Sequence, residues 1–520
     1  MSAAEFASAP PVVKLVGAFA QPFDNAVATA RTCYSSKGII SAEQVAKNPE
    51  ARDRLARSIF EAGHHTTLQH AHFQFSLENV SRHFLWSFLH SHPFYNSEQV
   101  SQRYVEVKPN AYAVPSLTDG QREIYQEAAL AQIAAYQRLI EALTPAAARE
   151  YFRIFPARQK QESAHKEVKK RAQEVARYVL PVSTFAYLYH TISGITLLRY
   201  FRLCRQLDAP AETRQVVGLM VDALLAHDAN WKTVLEEPLA LEETPEFAHF
   251  QSRPAPAREA DARAFAIEFD RELDGKVSRL SDRKPGNESA VAQAVREVLG
   301  LPRARLSDQE ALALALDPSK NPYFGETMNV LTLSKLSRAL HHASYTFRKK
   351  LSHAADSQDQ RHRMTPASRP ILTAQLTGEP DYIVPELITR SAVAHEIYRD
   401  SMARTWRAIA KLRELGVPAE TAAYLLPNAV AVRFTESADL LNLHHKLKSR
   451  LCYNAQEEIW RASLDEARQI RDVEPTIGRY LLPPCGLRLM TSTRPICPEG
   501  ERYCGVPVWK LSIDQYARVI

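Results

Sequence analysis

The sequence predicts an α+β chain made of two helix-rich modules in tandem. Length, helical patterning and an internal repeat carry that reading. The chain has 520 residues, too many for one ordinary core. Ala, Leu, Glu, Gln and Arg dominate, with apolar residues at helical spacing over 121–143 and 393–415. Landmarks of the first half return in the same order in the second.

Strand signals are few. Residues 12–19 form one candidate, and 72–77 (HFQFSL), which alternates aromatic with polar residues, a better one. The uncharged stretch 179–198 carries Pro181, His190 and Gly194 and reads as a buried helix rather than a membrane span. Residues 236–263, rich in Pro, Glu and Ala, read as a linker. The expected organisation is a first module over 1–235, that linker, a second module over 264–483 and a Cys-containing tail over 484–520.

The repeat is explicit. Ala176-Arg177-Tyr178-Val179-Leu180-Pro181 matches Ala422-Ala423-Tyr424-Leu425-Leu426-Pro427, an offset of 423 − 177 = 246. Gln69-His70-Ala71-His72-Phe73-Gln74-Phe75 resembles His341-His342-Ala343-Ser344-Tyr345-Thr346-Phe347, an offset of 342 − 70 = 272. Arg361-His362-Arg363 stands where the first half has His90-Ser91-His92, an offset of 361 − 90 = 271.

The content of 45% hydrophobic and 24% charged residues is that of a folded globular chain. A formal charge of +6 is small for this length and argues against a nucleic-acid binder. Met1 to Pro11 has no basic start, and Lys14 and Asp24 break the apolar stretch after it, so no signal peptide is expected. Six cysteines in so long a chain make no secreted disulfide framework, which points to the cytoplasm.

The Arg361-His362-Arg363 triplet places two guanidiniums beside an imidazole. Like charges so close need solvent or an anion, and the arginine fork matches phosphate oxygens. A phosphorylated ligand is one reading and a solvated basic surface the other. Cys452, Cys485, Cys497 and Cys504 fall in or near a turn-rich tail, where four thiolates around zinc would staple a segment without its own core. The spacing lacks CxxC pairs, so free or buried thiols stay open. His341, His342 and His353 are not expected to share a metal, because adjacent side chains point apart. Nothing in the sequence marks Cys33 as a nucleophile.

Gly63-His64-His65-Thr66-Thr67-Leu68-Gln69-His70-Ala71, Val80-Ser81-Arg82, Ser101-Gln102-Arg103-Tyr104 and Glu174-Val175-Ala176-Arg177-Tyr178-Val179-Leu180-Pro181 resemble the motifs of flavin-dependent thymidylate synthases. So do Ala30-Arg31-Thr32-Cys33-Tyr34, Gln358-x-x-Arg361-His362-Arg363 and Arg450 followed by Ala455-Gln456-x-Glu458-Ile459. The resemblance implies that fold in each module, with a small antiparallel sheet. It implies methylation of dUMP to dTMP with methylenetetrahydrofolate, FAD and NADPH. It also implies no nucleic-acid or membrane partner, and a homodimer that mimics the family tetramer.

Carried over residue by residue, the resemblance makes Arg450 the arginine that polarises the base. Gln358, Arg361, Ser101, Gln102, Arg103 and Arg177 become nucleotide ligands. His362, Arg363, Thr66 and His445 become flavin contacts. The opposite assignments fail: Ser87 replaces the glutamine, Cys204, beside Arg205, the polarising arginine, and Ala423 the counterpart of Arg177. Some flavin positions differ from the family, with Cys33 for a serine and Gln69 for a glutamate. The resemblance thus implies one intact class of site shared between the modules and a decayed reciprocal class. A related pyrimidine-nucleotide enzyme, or a nucleotide-binding protein without flavin chemistry, are the alternative readings.

Overall fold

A computed structural model describes residues 6–89, 94–205 and 208–520. His90, Ser91 and His92 lie outside the described residues. The chain forms two compact units, and neither is simply one half of the sequence. Unit 1 comprises Met1–Ile133, Leu180–Arg258 and Arg404–Leu426; unit 2 comprises Ala134–Val179, Glu259–Ala403 and Pro427–Ile520. Each unit therefore includes a segment drawn from the opposite half.

Unit 1 holds an antiparallel sheet of β1 (Val12–Ala18), β2 (His72–Ser81), β3 (Tyr95–Gln99) and β4 (Phe185–Ser193), ordered β1-β2-β4-β3. Phe73, Phe75 and Leu77 of β2 point into the core while the residues between them face out. The segment 179–198 is thus not a buried helix. Arg177–Val179 makes a 3-10 turn, β4 follows, and a helix begins only at Gly194. Period-two burial wins there: Ala186, Leu188, His190 and Ile192 are buried, while Tyr187 and Tyr189 face solvent. At Gly194 a Cβ would overlap the Trp231 ring, which packs edge-on against Phe23 and Phe73.

Unit 2 repeats the plan with β5 (Ser278–Arg283), β6 (Ser344–Ser352), β7 (Ala367–Ser368) and β8 (Ala431–Asp439), ordered β5-β6-β8-β7. β2 carries one residue more than β6. Its register shifts between Leu77 and Val80, where Asn79 takes a left-handed φ of 55°. That bulge is why the repeat offset drops from 272 to 271 along the strand. The stretch 236–263 is largely helical, in Pro245–Gln251 and the start of Ala255–Leu273. Thr244 caps the first of these by accepting from Phe247 N. Among the described residues, no helix is long and apolar enough to cross a membrane.

Candidate functional site

The helix His353–Asp359 is capped by Ser352, whose hydroxyl accepts from Ala355 N at 3.0 Å. It carries Gln358 and ends just before the triplet. Arg361 N donates to Gln358 O at 3.3 Å and His362 N to Asp359 O at 3.0 Å, so the triplet emerges as a tight turn. The helix Leu440–Arg450 is capped by Asp439 and brings Arg450 to this turn at its last residue. Arg450 Nε donates to His362 Nε2 at 2.8 Å, and its Nη2 donates to Gln358 O at 2.9 Å.

From there a run of polar groups crosses unit 2. Gln358 Nε2 donates to Gln456 Oε1, and Gln456 Nε2 donates to the Tyr178 hydroxyl. Tyr178 in turn donates to Glu458 Oε2 at 2.5 Å. Glu458 also receives Ser352 N at 2.5 Å and Ser352 Oγ at 2.6 Å. The buried Arg177 precedes Tyr178, and its carbonyl accepts from Asn428 Nδ2 at 3.0 Å. Arg177, Gln358, the triplet and Arg450 therefore share one compact unit, although 273 positions (450 − 177) separate the first from the last.

Charge in this cluster is uneven. Burial, and then the Arg450 guanidinium, hold His362 well below the usual imidazole range. A neutral imidazole is what lets its Nε2 accept from Arg450. Arg361 is exposed, while His362 and Arg363 are half-buried. His445 lies on the open side of Leu440–Arg450, its ring 6.1 Å from that of His362.

Behind the triplet sits an ionic core. Lys349 Nζ lies 3.3 Å from Asp359, 2.8 Å from Glu436 and 2.7 Å from Glu466, and Lys446 Nζ lies 2.6 Å from Asp359 and 2.5 Å from Glu436. All five side chains are at most 1% exposed. Burial, and then the neighbouring Asp359, push Glu436 up to about 7. The repeat offsets place Leu77, Phe88, His190, Tyr200 and Met220 at the same positions of unit 1. There Phe88 packs on Tyr200 with ring centroids 4.4 Å apart and on His190 at 5.1 Å. One unit thus fills this place with charge, the other with aromatic and apolar groups.

The remaining nucleotide and flavin candidates belong to unit 1. Ser101 Oγ accepts from Arg103 N at 3.3 Å, Gln102 is buried, and the Arg103 guanidinium lies 5.5 Å from the Tyr104 ring centre. Thr66 is exposed in the turn His65–His70. Of the reciprocal positions, Cys204 and Ser87 are buried in unit 1, and Ala423 is buried beside Tyr424.

Cys452, Cys485, Cys497 and Cys504 line one pocket of unit 2, together with Tyr503, Val508 and Trp509. All four are free thiols and half-buried. Among the described residues, no group of three or more His, Cys, Asp or Glu side chains is placed to hold a metal ion. Burial pushes the Cys452 thiol up to about 11 and Cys485 up to about 12, and in each case nearby cysteines add to the rise.

Sequence reasoning gave no role to Gln456, Tyr178 or Glu458, although all three lie within quoted motifs. It missed the ionic core altogether, because β6, β8 and three helices each supply part of it.

The fold and this cluster define a duplicated α+β protein with one complete polar constellation, in unit 2. The chain belongs to the flavin-dependent thymidylate synthases, an enzyme family, in a two-module form: the family model described as thymidylate synthase complementing protein matches residues 14–227 and 279–476. The flavin-dependent thymidylate synthase of Geobacter sulfurreducens is 33% identical over 170 residues, covering 32% of this chain and 70% of that one. That of Clostridium tetani is 29% identical over 195 residues, covering 36% and 72%. A solved structure, the UMP/dUMP methylase PolB from Streptomyces cacaoi bound with 5-Br dUMP, is 22% identical. It covers 44% of this chain and 96% of its own, with a TM-score of 0.30, below the level at which a shared fold is read.

Proposed function

We propose that the protein converts dUMP to dTMP, with methylenetetrahydrofolate as carbon donor, FAD as hydride carrier and NADPH as reductant. The observation that carries this reading is the hydrogen-bonded run from Tyr178 through Gln456 and Gln358 to Arg450 and His362, residues that belong to three of the motifs resembling the family's. Over the cycle the uracil C5–H bond is replaced by C5–CH3, the one-carbon unit leaves the folate, and NADPH supplies the hydride that completes the methyl group. Arg361 and Arg177 take the phosphate, for which the guanidinium fork is suited. Arg450 places positive charge beside a pyrimidine carbonyl and stabilises the electron density that makes C5 nucleophilic. Gln358 orients the base through its amide.

Ser101, Gln102, Arg103 and Thr66 are proposed ligands by resemblance to the family motifs. By the same resemblance His362, Arg363 and His445 of unit 2 are proposed FAD contacts, as is Thr66 of unit 1; a guanidinium and imidazoles suit an anionic cofactor. Bound there, FAD supplies the hydride transfer. The protein is proposed to act in the cytoplasm, without nucleic acid or membrane partners, as a homodimer whose four modules match the family tetramer. A structural zinc at the four cysteines would take no part in the chemistry.

Tritium release from [5-³H]dUMP tests the reading. Release should require both methylenetetrahydrofolate and NADPH, from a protein with a flavin spectrum. Release from labelled dCMP but not dUMP would move it to a related pyrimidine enzyme. Tight dUMP binding by a flavin-free, inactive protein would replace it with a binding function.

A further inference from the structure

We infer that Cys452, Cys485, Cys497 and Cys504 form a closed tetrathiolate zinc centre that staples the C-terminal tail to the end of the helix carrying Arg450. The four thiols come from three separate places: the turn after Leu440–Arg450, the helix Pro484–Met490 and the irregular stretch beyond it. Nothing in the proposed reaction uses them. They nevertheless border one cavity of about 20 Å³, enough for a single small occupant. All four line the same space, and an ion would have to draw their sulfurs together from where they stand.

Without metal the Cys504 thiol donates to Val506 O at 3.5 Å, a bond that loss of the thiol proton to a metal would replace. A dication is the group that relieves the mutual repulsion of four clustered thiolates. Glu499 lines the same pocket but its carboxylate accepts from Asn454 Nδ2 at 3.2 Å, and the four sulfurs select zinc over harder cations, at Zn–S distances of roughly 2.3 Å.

The tail needs such a staple. It has one short helix and three 3-10 turns, and its buried apolar residues number few: Leu487, Val508, Ile513 and Tyr516 among them. Its other ties to the rest of unit 2 are scattered polar and ring contacts, among them Arg518 Nη1 donating to Ala455 O at 2.6 Å, Arg468 Nη2 to Ile513 O at 3.0 Å and Arg471 facing Asp514 at 3.5 Å. Asn454 Nδ2 donates to Arg502 O at 2.8 Å, Ala517 N donates to Tyr453 Oη at 3.0 Å, and Arg518 lies 5.7 Å from the Trp460 ring centre. Cys452 follows Arg450 by two residues, so the ion holds the arginine's helix end as well as the tail. Arg450 is positioned by the centre and touches no part of it.

The test is elemental analysis of the full-length chain after dialysis against metal-free buffer. About one zinc per chain is expected, and cobalt reconstitution should give the intense thiolate-to-cobalt absorption of a tetrahedral site. Cys497→Ser and Cys504→Ser should each lose the metal and expose the tail to trypsin. In the chelated wild type, dUMP affinity should fall and recover on adding zinc alone. Less than roughly a tenth of an equivalent of transition metal per chain, with all four thiols reacting with Ellman's reagent in the native protein, overturns the proposal. One equivalent of iron in place of zinc overturns the metal assignment. Metal content is read independently of methylation, so this outcome and that of the tritium assay stand apart.

Discussion

The Tyr178 hydroxyl donates to Glu458 at 2.5 Å across 280 positions of sequence, and within unit 1 Tyr424 donates to Glu212 at 2.8 Å across 212. Each carboxylate also receives the N–H and hydroxyl of one serine, Ser352 in unit 2 and Ser81 in unit 1. The trios are copies, and both tyrosines are held well above their ordinary range by burial and then by the facing carboxylate. Only the Tyr178 trio joins the candidate site, through Gln456; the repeat offset puts Pro210 at that place in unit 1.

Tyr178→Phe and Tyr424→Phe should therefore cost similar stability, about 1–3 kcal/mol each, because each strips a donor from a buried carboxylate. Only Tyr178→Phe should weaken dUMP binding. Urea titration and calorimetry measure the two quantities, and equal loss of dUMP affinity in both variants would refute the asymmetry.

Arg177→Ala and Arg361→Ala should each reduce dUMP affinity by roughly 10- to 150-fold, the value of a hydrogen bond to a charged group. Arg205→Ala, beside Cys204 at the decayed position of unit 1, should leave it nearly unchanged. Wild-type affinity in both of the first two variants would sink the proposed phosphate grip.

Lys446→Met should destabilise the chain by about 3–5 kcal/mol, since it leaves Asp359 and Glu436 buried without their cation. Transplanting the unit 1 set (Lys349→Leu, Asp359→Phe, Glu436→His, Lys446→Tyr, Glu466→Met) should restore much of the stability, because apolar packing can replace a buried ionic cluster. It should not restore dUMP binding, because Asp359 and Lys446 lie close enough to His362 to act on its charge, and the swap removes both. Chemical denaturation and a dUMP titration on the same variants separate the two effects.

Acid should destabilise the protein through buried neutral histidines. Burial lowers His83 to about 4 and His444 to about 3, the latter helped by nearby Lys448. An unfolded histidine takes its proton near 6.5, whereas these take theirs only at the lower values. Their favourable contribution is thus complete above pH 6.5. As pH falls from 6.5 toward 4, stability should drop by about 1.4 kcal/mol per unit for each histidine. His444→Phe, which keeps the packing on Phe324, should flatten the decline of urea midpoints between pH 7.5 and 5. An unchanged slope would refute it.

Much of the fold was legible in local pattern. The alternating aromatics of 72–77 announced β2, and helical spacing announced Asp119–Ile154 and Ala392–Glu414. β4 was missed because Tyr187, Tyr189 and Thr191, its outward residues, carry no charge, so its alternation looked like a continuous apolar run. The triplet, Gln358 and Arg450 could be picked out as motif residues. The amide run through Gln456 and the Lys–carboxylate core could not, since each bond joins elements that pattern treats separately.

By itself the sequence determined that there are two related modules, where the strands Val12–Ala18 and His72–Ser81 and two long helices fall, and which copy keeps the triplet, Arg177 and Arg450. Tertiary structure alone decided the exchange of segments. Both halves carry the same tyrosine, glutamate and serine, so Tyr178 could pair with Glu212 as readily as with Glu458 on chemical grounds. Both acceptors are buried, so the packing of whole segments made the choice, and a local pattern holds no record of it because side chains in both copies satisfy it equally.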